Sequence, residues 1–202
     1  MKINYYLIVA GVVILLAVAG YNYFSKPEEI VINPEALQGI QTGNAPWGVQ
    51  TETLRPRLEA IGLPALAEEG AVLHTHQHLD ISINGAKLNI PTDIGINEEE
   101  KFISQIHTHD LTGIIHVESP VVKDFTLGQF FDIWGVRFTD TCLGGYCAEE
   151  GKELKMYVNG QRADGNFRRR ELKDHEEIVI TYGSAQDEPS PIPSSYQFPP
   201  NY

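Results

Sequence analysis

The longest apolar segment of the chain lies at its N-terminus. Residues 5–24 carry no charged side chain, and their centre reads LIVAGVVILLAVAG. About 20 apolar residues suffice for a helix to cross the core of a bilayer, and aromatic residues flank this segment as they flank membrane spans. We therefore predict a single-pass membrane anchor at 1–24, with the C-terminal domain extracytoplasmic. A cleaved signal peptide is the alternative, because the small residues at 17–19 fit a cleavage site.

The rest of the chain divides by composition into three parts. The stretch 25–48 contains several prolines and glycines and is typical of a linker. The segment 49–183 carries the patterns of a folded domain, beginning with a short helical pattern at 51–62. Beyond it, 184–202 is rich in proline and serine and lacks periodicity, so we predict an extended or disordered tail.

Alternating apolar and polar positions predict two β-hairpins. In the first, residues 79–83 alternate and lead into Asn84-Gly85, and Asn-Gly between alternating runs is the strongest short-range hairpin signal. The second spans 106–119 and turns at 111–113. Further strands are predicted in LKMYVNGQ, which repeats the Asn-Gly signal, and in EEIVITYG, which is rich in β-branched residues.

Between these strand segments, the sequence DFTLGQFFDIWG predicts one main helix. Thr126 is a good N-cap residue, Gln129 stands at the position of a capping box, and Gly135 can end the helix. Strand blocks separated by one helix favour a single, β-rich α+β domain with a mixed or antiparallel sheet, and we predict a β-grasp-like arrangement. A β-sandwich is the second choice. A chain of 202 residues can bury one good core.

The chain is strongly acidic, with 27 acidic and 15 basic residues and a formal net charge of −12. This balance argues against nucleic acid as a partner, because phosphate binding needs clustered lysine and arginine. The one basic run, at 168–170, lies between acidic stretches. An acidic field raises the local concentration of cations, so the composition is compatible with metal binding without proving it.

Six of the seven histidines lie in two short segments, and the first of these, LHTHQHLD, belongs to the strand before the Asn-Gly turn. Alternate side chains of a strand point to the same side. One face of this strand therefore collects His74, His76, His78 and Asp80. The apolar residues that follow occupy the other face and pack on the core, which leaves the histidine face for binding.

The second segment, IHTHDLTGIIHVES, places three histidines on a hairpin. The predicted turn puts His107 directly opposite His116, and His109 opposite Ile114. Directly opposed Cβ atoms lie about 4.5–5.5 Å apart, so two imidazoles can converge on one ion through bonds of about 2 Å. The seventh histidine, His175, is predicted to lie on a surface turn.

The predicted metal ligands are His74, His76, His78, His107, His109 and His116. Protonating such crowded imidazoles would bring like charges together, so coordination is favoured instead. Asp80, Asp110 and Glu118 can orient a ligand through its second nitrogen or act as a base. Histidine-rich sites suit copper(II) or zinc, so the predicted cofactor is a copper or zinc ion. Two alternatives stay open: a solvated strand face, and a pH-sensing or purely hydrogen-bonded histidine cluster.

Two cysteines, Cys142 and Cys147, enclose the sequence Leu-Gly-Gly-Tyr. In an oxidising compartment such a close pair usually forms a disulfide, and the glycines allow the tight turn that the bond requires. Thiolate ligation of a metal is the alternative.

The motifs LHTHQHLDI, IHTHDLTGIIHVESP, FTLGQFFDIWGV and CLGGYC are similar to those of a family of uncharacterised bacterial exported or membrane-anchored His-rich proteins. The upstream WGVQTETLRPRLEAIGLPAL belongs to the same pattern, so that the resemblance covers residues 40–183. It implies a grouping and no activity. The metal hypothesis therefore rests on the residues themselves.

The sequence favours a binding module that captures, buffers or presents copper or zinc at the cell exterior. A metalloenzyme with an open coordination position for water or substrate is the second hypothesis. A structural or assembly protein, in which the ion joins two hairpins, is the third. No nucleophile elbow, phosphate loop or cofactor fingerprint occurs, so an enzyme is the less favoured interpretation and we predict no catalytic residue.

Overall fold

A mixed sheet of seven strands forms the centre of the fold. The computed structural model describes residues 32–200 and Tyr202, so the predicted anchor at 1–24 and the start of the predicted linker lie outside the described residues. In chain order the strands are β1 (Leu73–Ile83), β2 (Ala86–Leu88), β3 (Ile96–Asn97), β4 (Phe102–Ile103), β5 (Ile106–His107), β6 (Ile114–Ser119), β7 (Cys142–Leu143), β8 (Tyr146–Cys147), β9 (Glu153–Val158), β10 (Gln161–Arg162) and β11 (Glu177–Gly183). The helices are α1 (Leu54–Ala60) and α2 (Leu127–Trp134), with short 3-10 helices at Pro34–Ala36 and Phe167–Arg169. No helix among the described residues is long and apolar enough to cross a membrane.

The strands of the main sheet run in the order β10-β9-β11-β1-β6-β5, and β2 pairs with the end of β1. β1 and β11 are parallel, whereas the other pairs of this sheet are antiparallel. β3 with β4 and β7 with β8 form two separate two-stranded sheets. These elements confirm the predicted α+β class with a mixed sheet, and they give β1 strand neighbours on both of its edges.

The turn between β1 and β2 forms where the Asn-Gly signal predicted it. Asn84 and Gly85 have φ angles of 48° and 80°, and Ile83 pairs with Ala86 directly across the turn. Two consecutive positive φ angles are typical of the type I′ turn, whose twist matches that of the flanking strands. The same geometry at 159–160 joins β9 to β10.

Helix α2 begins and ends at the residues that its sequence indicates. The Thr126 hydroxyl accepts a hydrogen bond from the backbone N–H of Gln129, whose side chain accepts one from the backbone N–H of Thr126. Gly135 follows the last helical residue in the left-handed conformation, with a φ of 79°. Nearly all of the helix is buried, and its apolar residues join those of the central strands, among them Ile81 and Ile180, in one core.

The second hairpin is shorter than the sequence predicted. His107 lies opposite His116, as expected, but β5 ends there. The hydroxyl and the backbone N–H of Thr108 both donate to backbone carbonyls of the segment 91–94. Because Thr108 is held there, the chain leaves β6, and the expected pairing of His109 with a β6 residue does not form.

The segment after β11, predicted as an extended or disordered tail, has no helix or strand among its described residues. Two of its tyrosines contact histidines of β1. The ring of Tyr196 stacks on that of His78 with centroids 3.8 Å apart, and the ring of Tyr202 lies 4.5 Å from that of His76. The tail therefore packs against the strand that carries the first histidine segment.

Candidate metal centre

Three adjacent strands bring histidines side by side. β6 lies between β1 and β5, and His116 of β6 is paired with His76 on one side and with His107 on the other. The ring centroids are 4.7 Å apart for His76 and His116 and 5.4 Å apart for His107 and His116. A row of three imidazoles therefore crosses the sheet from strand to strand.

A further histidine stands beside each end of this row. The Nε2 atoms of His74 and His76 lie 3.1 Å apart, and those of His107 and His109 lie 3.0 Å apart. For bonds of about 2.0–2.1 Å, two nitrogens on one ion lie about 2.8 Å apart at right angles and about 3.4 Å apart in a tetrahedron. Both pairs are within hydrogen-bonding distance, and both also have the spacing of ligands to a shared ion. We call the five residues the histidine cluster: His74, His76, His107, His109 and His116.

Glu118 adds a carboxylate to the histidine cluster. It follows His116 on the same face of β6 and is paired with His74 of β1. Its Oε1 lies 3.2 Å from His74 Nε2, 3.4 Å from His116 Nδ1 and 3.9 Å from His107 Nε2. Burial alone would raise the pKa of Glu118, but the surrounding imidazoles, His116 foremost, lower it to about 2. The carboxylate is therefore ionised at neutral pH.

Two histidines of the cluster are neutral because of their surroundings. Burial, followed by the proximity of His109, lowers the pKa of His107 to about 3. Burial, followed by the proximity of His116 and His74, lowers the pKa of His76 to about 4. Neutral imidazole is the form that binds a metal ion, so both rings are ready to act as ligands at neutral pH.

The backbone of Ser104 fixes the tautomer of His107. The Nδ1 atom of His107 lies 3.0 Å from the carbonyl oxygen of Ser104, which can only accept, so Nδ1 carries the hydrogen of the neutral ring. The lone pair is then on Nε2, the atom that faces His109 and Glu118. Outer hydrogen bonds of this kind orient most metal-binding histidines.

His116 contributes an unsatisfied polar atom. Its Nδ1 is buried and forms no hydrogen bond with any described residue, although Glu118 Oε1 is 3.4 Å away. A buried polar atom without a partner costs about 1–3 kcal/mol. Coordination of an ion at Nδ1 would remove that cost.

The donor atoms form two sets that could each hold a metal ion. The first set is His74, His76, His116 and Glu118, and the second is His107, His109, His116 and Glu118. Within each set the donors lie within 4.8 Å of one another. The side chains of His74 and His109 are 55% and 37% exposed, whereas the inner members are buried. The centre is thus open to solvent at its two ends.

His78, predicted as a ligand, lies outside both sets. Its Nδ1 is 2.7 Å from Glu177 Oε2 on β11, and its Nε2 is 2.9 Å from the carbonyl oxygen of Thr112. Both ring nitrogens therefore face hydrogen-bond acceptors of the protein itself. Asp80 lies near enough to complete a third donor set, but its carboxylate pairs with Lys87 at 2.7 Å. We therefore place no metal there.

Asp110, predicted to support the ligands, shapes the loop before β6. Its Oδ1 accepts hydrogen bonds from the backbone N–H and the hydroxyl of Thr112. Burial would raise the pKa of Asp110, but these two bonds lower it. Of the three carboxylates predicted to support the ligands, Glu118 alone belongs to the two donor sets that the histidine cluster forms.

Three neighbours of the cluster have no signal in the sequence. Glu69 Oε1 lies 3.5 Å from His109 Nε2. The Asp174 carboxylate accepts a hydrogen bond from the backbone N–H of His76, and Tyr202 packs against the imidazole ring of His76. Each residue comes from a segment far from its partner in the chain, so no local spacing could have indicated it.

Cys142 and Cys147 form the predicted disulfide, which joins β7 to β8. Both sulfur atoms are used in this bond, and neither cysteine belongs to a donor set. The two cysteines therefore do not offer free thiolates as metal ligands.

Comparisons with known proteins give no match to a family model, to a curated protein or to a solved structure. The likeness of the motifs to a family of His-rich exported proteins, and the β-grasp-like arrangement, stay predictions. The functional argument rests on the geometry of the histidine cluster.

Proposed function

We propose that the protein binds a copper or zinc ion through the histidine cluster and Glu118. The observation that carries the proposal is the convergence of five imidazoles and one carboxylate from three adjacent strands and the loop that follows β5. His107 supports it further, because a neutral ring with its lone pair directed by the Ser104 carbonyl is already in the form of a ligand.

Two features argue against the alternatives of a solvated strand face and a purely hydrogen-bonded cluster. Solvated rings would be exposed, yet His76, His107 and His116 are exposed by 5% or less. A fully hydrogen-bonded cluster would satisfy its buried nitrogens, yet the acceptor beside Nδ1 of His116, Glu118 Oε1, is 3.4 Å away and out of line for a hydrogen bond. A bound ion would give this nitrogen a partner.

Copper(II) and zinc both suit imidazole and carboxylate donors. The two Nε2 separations of 3.1 and 3.0 Å lie between the values for ligands at right angles and for tetrahedral ligands. The geometry is therefore equally close to a planar copper(II) site and to a tetrahedral zinc site, and we propose the pair of ions as the cofactor class.

We also propose that binding occurs outside the cytoplasm, on a protein held to the membrane by residues 5–24. The proposal is supported by the uncharged apolar character of that segment and by the disulfide, since disulfides persist in oxidising compartments. A metal-binding module in this place would capture, buffer or present the ion at the cell exterior.

A metalloenzyme is the second candidate, and solvent access favours it. The exposed sides of His74 and His109 leave room for water or a substrate beside an ion, which catalytic metal sites require. Titration of the copper(II)-loaded protein with azide discriminates between the two functions. A new charge-transfer band would show an open coordination position, whereas an unchanged spectrum would favour storage or transfer.

Elemental analysis of the exported protein, purified without a His tag, tests metal binding itself. The wild-type protein should retain copper or zinc through dialysis. The double variant His107→Ala with His116→Ala removes donors from both sets and should lose tight binding. His175→Ala is the matched control, because His175 is a half-exposed histidine outside the cluster. Undiminished metal in the double variant would exclude the cluster as the site.

A further inference from the structure

The histidine cluster is divided between the two edges of β6. The β1 pair, His74 and His76, reaches the centre from one edge. The β5 pair, which is His107 of β5 and His109 of the loop that follows it, reaches the centre from the other edge. Neighbouring strands lie about 4.7–4.9 Å apart, so β1 and β5, which flank β6, are about 10 Å apart. The two pairs therefore reach the centre from the two sides of β6.

Each pair has the spacing of two ligands to one ion, with Nε2 atoms 3.1 Å apart in the β1 pair and 3.0 Å apart in the β5 pair. Each pair also completes a four-donor set with His116 and Glu118. Four donors fill the coordination sphere of zinc and the plane of copper(II). A single ion bound by one set would therefore leave the other pair without an ion.

Glu118 is placed to serve both sets. The same oxygen, Oε1, lies 3.2 Å from Nε2 of His74 in the β1 pair and 3.9 Å from Nε2 of His107 in the β5 pair. A carboxylate has two oxygens with several lone pairs, so it can bind two ions at once. Two-metal sites in proteins hold their ions about 3.5–4 Å apart, a separation that one carboxylate can span.

We propose that the cluster holds two divalent ions bridged by the carboxylate of Glu118. One ion is bound by the β1 pair and the other by the β5 pair, and His116 binds one of them through its unpartnered Nδ1. The inference rests on the proposed function and adds to it the number of ions and the bridging ligand.

The charges around the centre favour the binding of cations. Neutral imidazoles offset none of the positive charge of the ions. Glu118 supplies one negative charge between the two pairs, and Glu69 places a second carboxylate 3.5 Å from Nε2 of His109. The net charge of −12 adds a favourable long-range field.

Metal titration of the whole protein tests the inference, with zinc followed by calorimetry and copper(II) followed by elemental analysis and electron paramagnetic resonance. The wild type and the control His175→Ala should bind two equivalents. Replacing both histidines of the β5 pair by alanine should leave one equivalent, and replacing both histidines of the β1 pair should do the same. The two bridged copper(II) ions should be spin-coupled, with signal intensity below the copper content. Glu118→Gln should restore the intensity of whatever copper is bound.

Each other outcome has a distinct meaning. One equivalent in the wild type, lost completely in both pair variants, would show a single shared ion and would overturn the bridge while leaving metal binding intact. Two equivalents with full signal intensity would also overturn the bridge, because the ions would be independent. No bound metal would overturn the proposed function itself. If the variants that lack a histidine pair do not fold, the spin coupling of copper(II) in the wild type alone decides whether the two ions are bridged.

Discussion

His76 and His78 are alternate residues on one face of β1, but their strand neighbours differ. His76 stands opposite His116 of β6, whereas the pairing with β11 begins at His78 and brings Glu177 beside it. The first arrangement collects lone pairs that suit a cation. The second places the ring 2.7 Å from a buried carboxylate. The chemistry of a histidine on a strand therefore depends on the residue across from it.

Replacing His78 by glutamine should destabilise the protein without changing the number of bound ions. The Glu177 side chain is 1% exposed, and weakening the 2.7 Å hydrogen bond that this buried carboxylate makes with His78 costs about 1–3 kcal/mol. Urea unfolding would measure the free energy, and elemental analysis would measure the metal. His175→Gln, at a half-exposed position outside the cluster, should leave the number of bound ions unchanged as well. Loss of an ion at unchanged stability would make His78 a ligand.

The loop from β5 to β6 carries His109 and passes close to β1. At the end of this loop, the carbonyl oxygen of Gly113 accepts a hydrogen bond from the backbone N–H of Leu79. A Cβ atom on Gly113 would lie 2.7 Å from the carbonyl oxygen of Leu79. Glycine is required here for the close approach, and the position of His109 depends on it.

Gly113→Ala should therefore lower the free energy of unfolding more than Gly165→Ala does. The φ angles of the two glycines are 88° and 93°, so both alanines carry a similar strain of about 1–2 kcal/mol. A Cβ at Gly165 meets no atom within 4 Å, so the difference between the variants measures the contact with β1. Urea unfolding checks it, and zinc titration should show weaker binding in Gly113→Ala alone. Equal destabilisation by the two substitutions would mean that the loop between β5 and β6 can move away from β1 at no cost in free energy.

At the scale of the whole molecule, the stability of the metal-free protein should depend on pH. The ordinary histidine pKa is 6.5, and it is lowered to about 4 in His76 and to about 3 in His107. Below pH 6.5 the unfolded chain binds protons at these two histidines and the folded protein does not. Lowering the pH therefore stabilises the unfolded state relative to the folded state. We expect the free energy of unfolding to fall from pH 6.5 towards pH 4.

Urea unfolding at a series of pH values would measure this dependence. The carboxylate of Glu118 adds to the loss only below its ordinary pKa of 4.5, so the interval from 6.5 to 4.5 reports the histidines. A His107→Asn variant should show a shallower slope in that interval, because it no longer binds a proton there. A slope in the variant as steep as in the wild type would contradict the assignment to His107.

What could be predicted from the sequence was local. The type I′ turn at Asn84-Gly85 and the cap of Thr126 with Gln129 depend on residues within a few positions of each other, and both formed as expected. The facing of His107 and His116 follows from a nearby turn. The β1 pair joins the same centre only because β6 also pairs with β1, which no spacing indicates.

What could not be predicted involves competition between distant segments. Thr108 leaves the hairpin because the segment 91–94 offers it hydrogen-bond partners. His78 leaves the cluster because Glu177, 99 residues further along the chain, takes its Nδ1. The tail carries no periodic pattern, yet Tyr196 and Tyr202 pack on two histidines of β1. Such contacts depend on which of several partners, distant in sequence, lies nearest in the folded protein.

The parallel pairing of β1 with β11 also sets an order of events during biosynthesis. The chain is synthesised from its N-terminus, so the histidines of β1 are made before β11, the strand that covers one edge of β1. Contacts this far apart in sequence form late, since the intervening chain must first be closed into a loop. In that interval the imidazoles of β1 are not yet held in the finished sheet. If the protein binds a metal as proposed, the identity of that metal would depend on timing and local supply as well as on affinity.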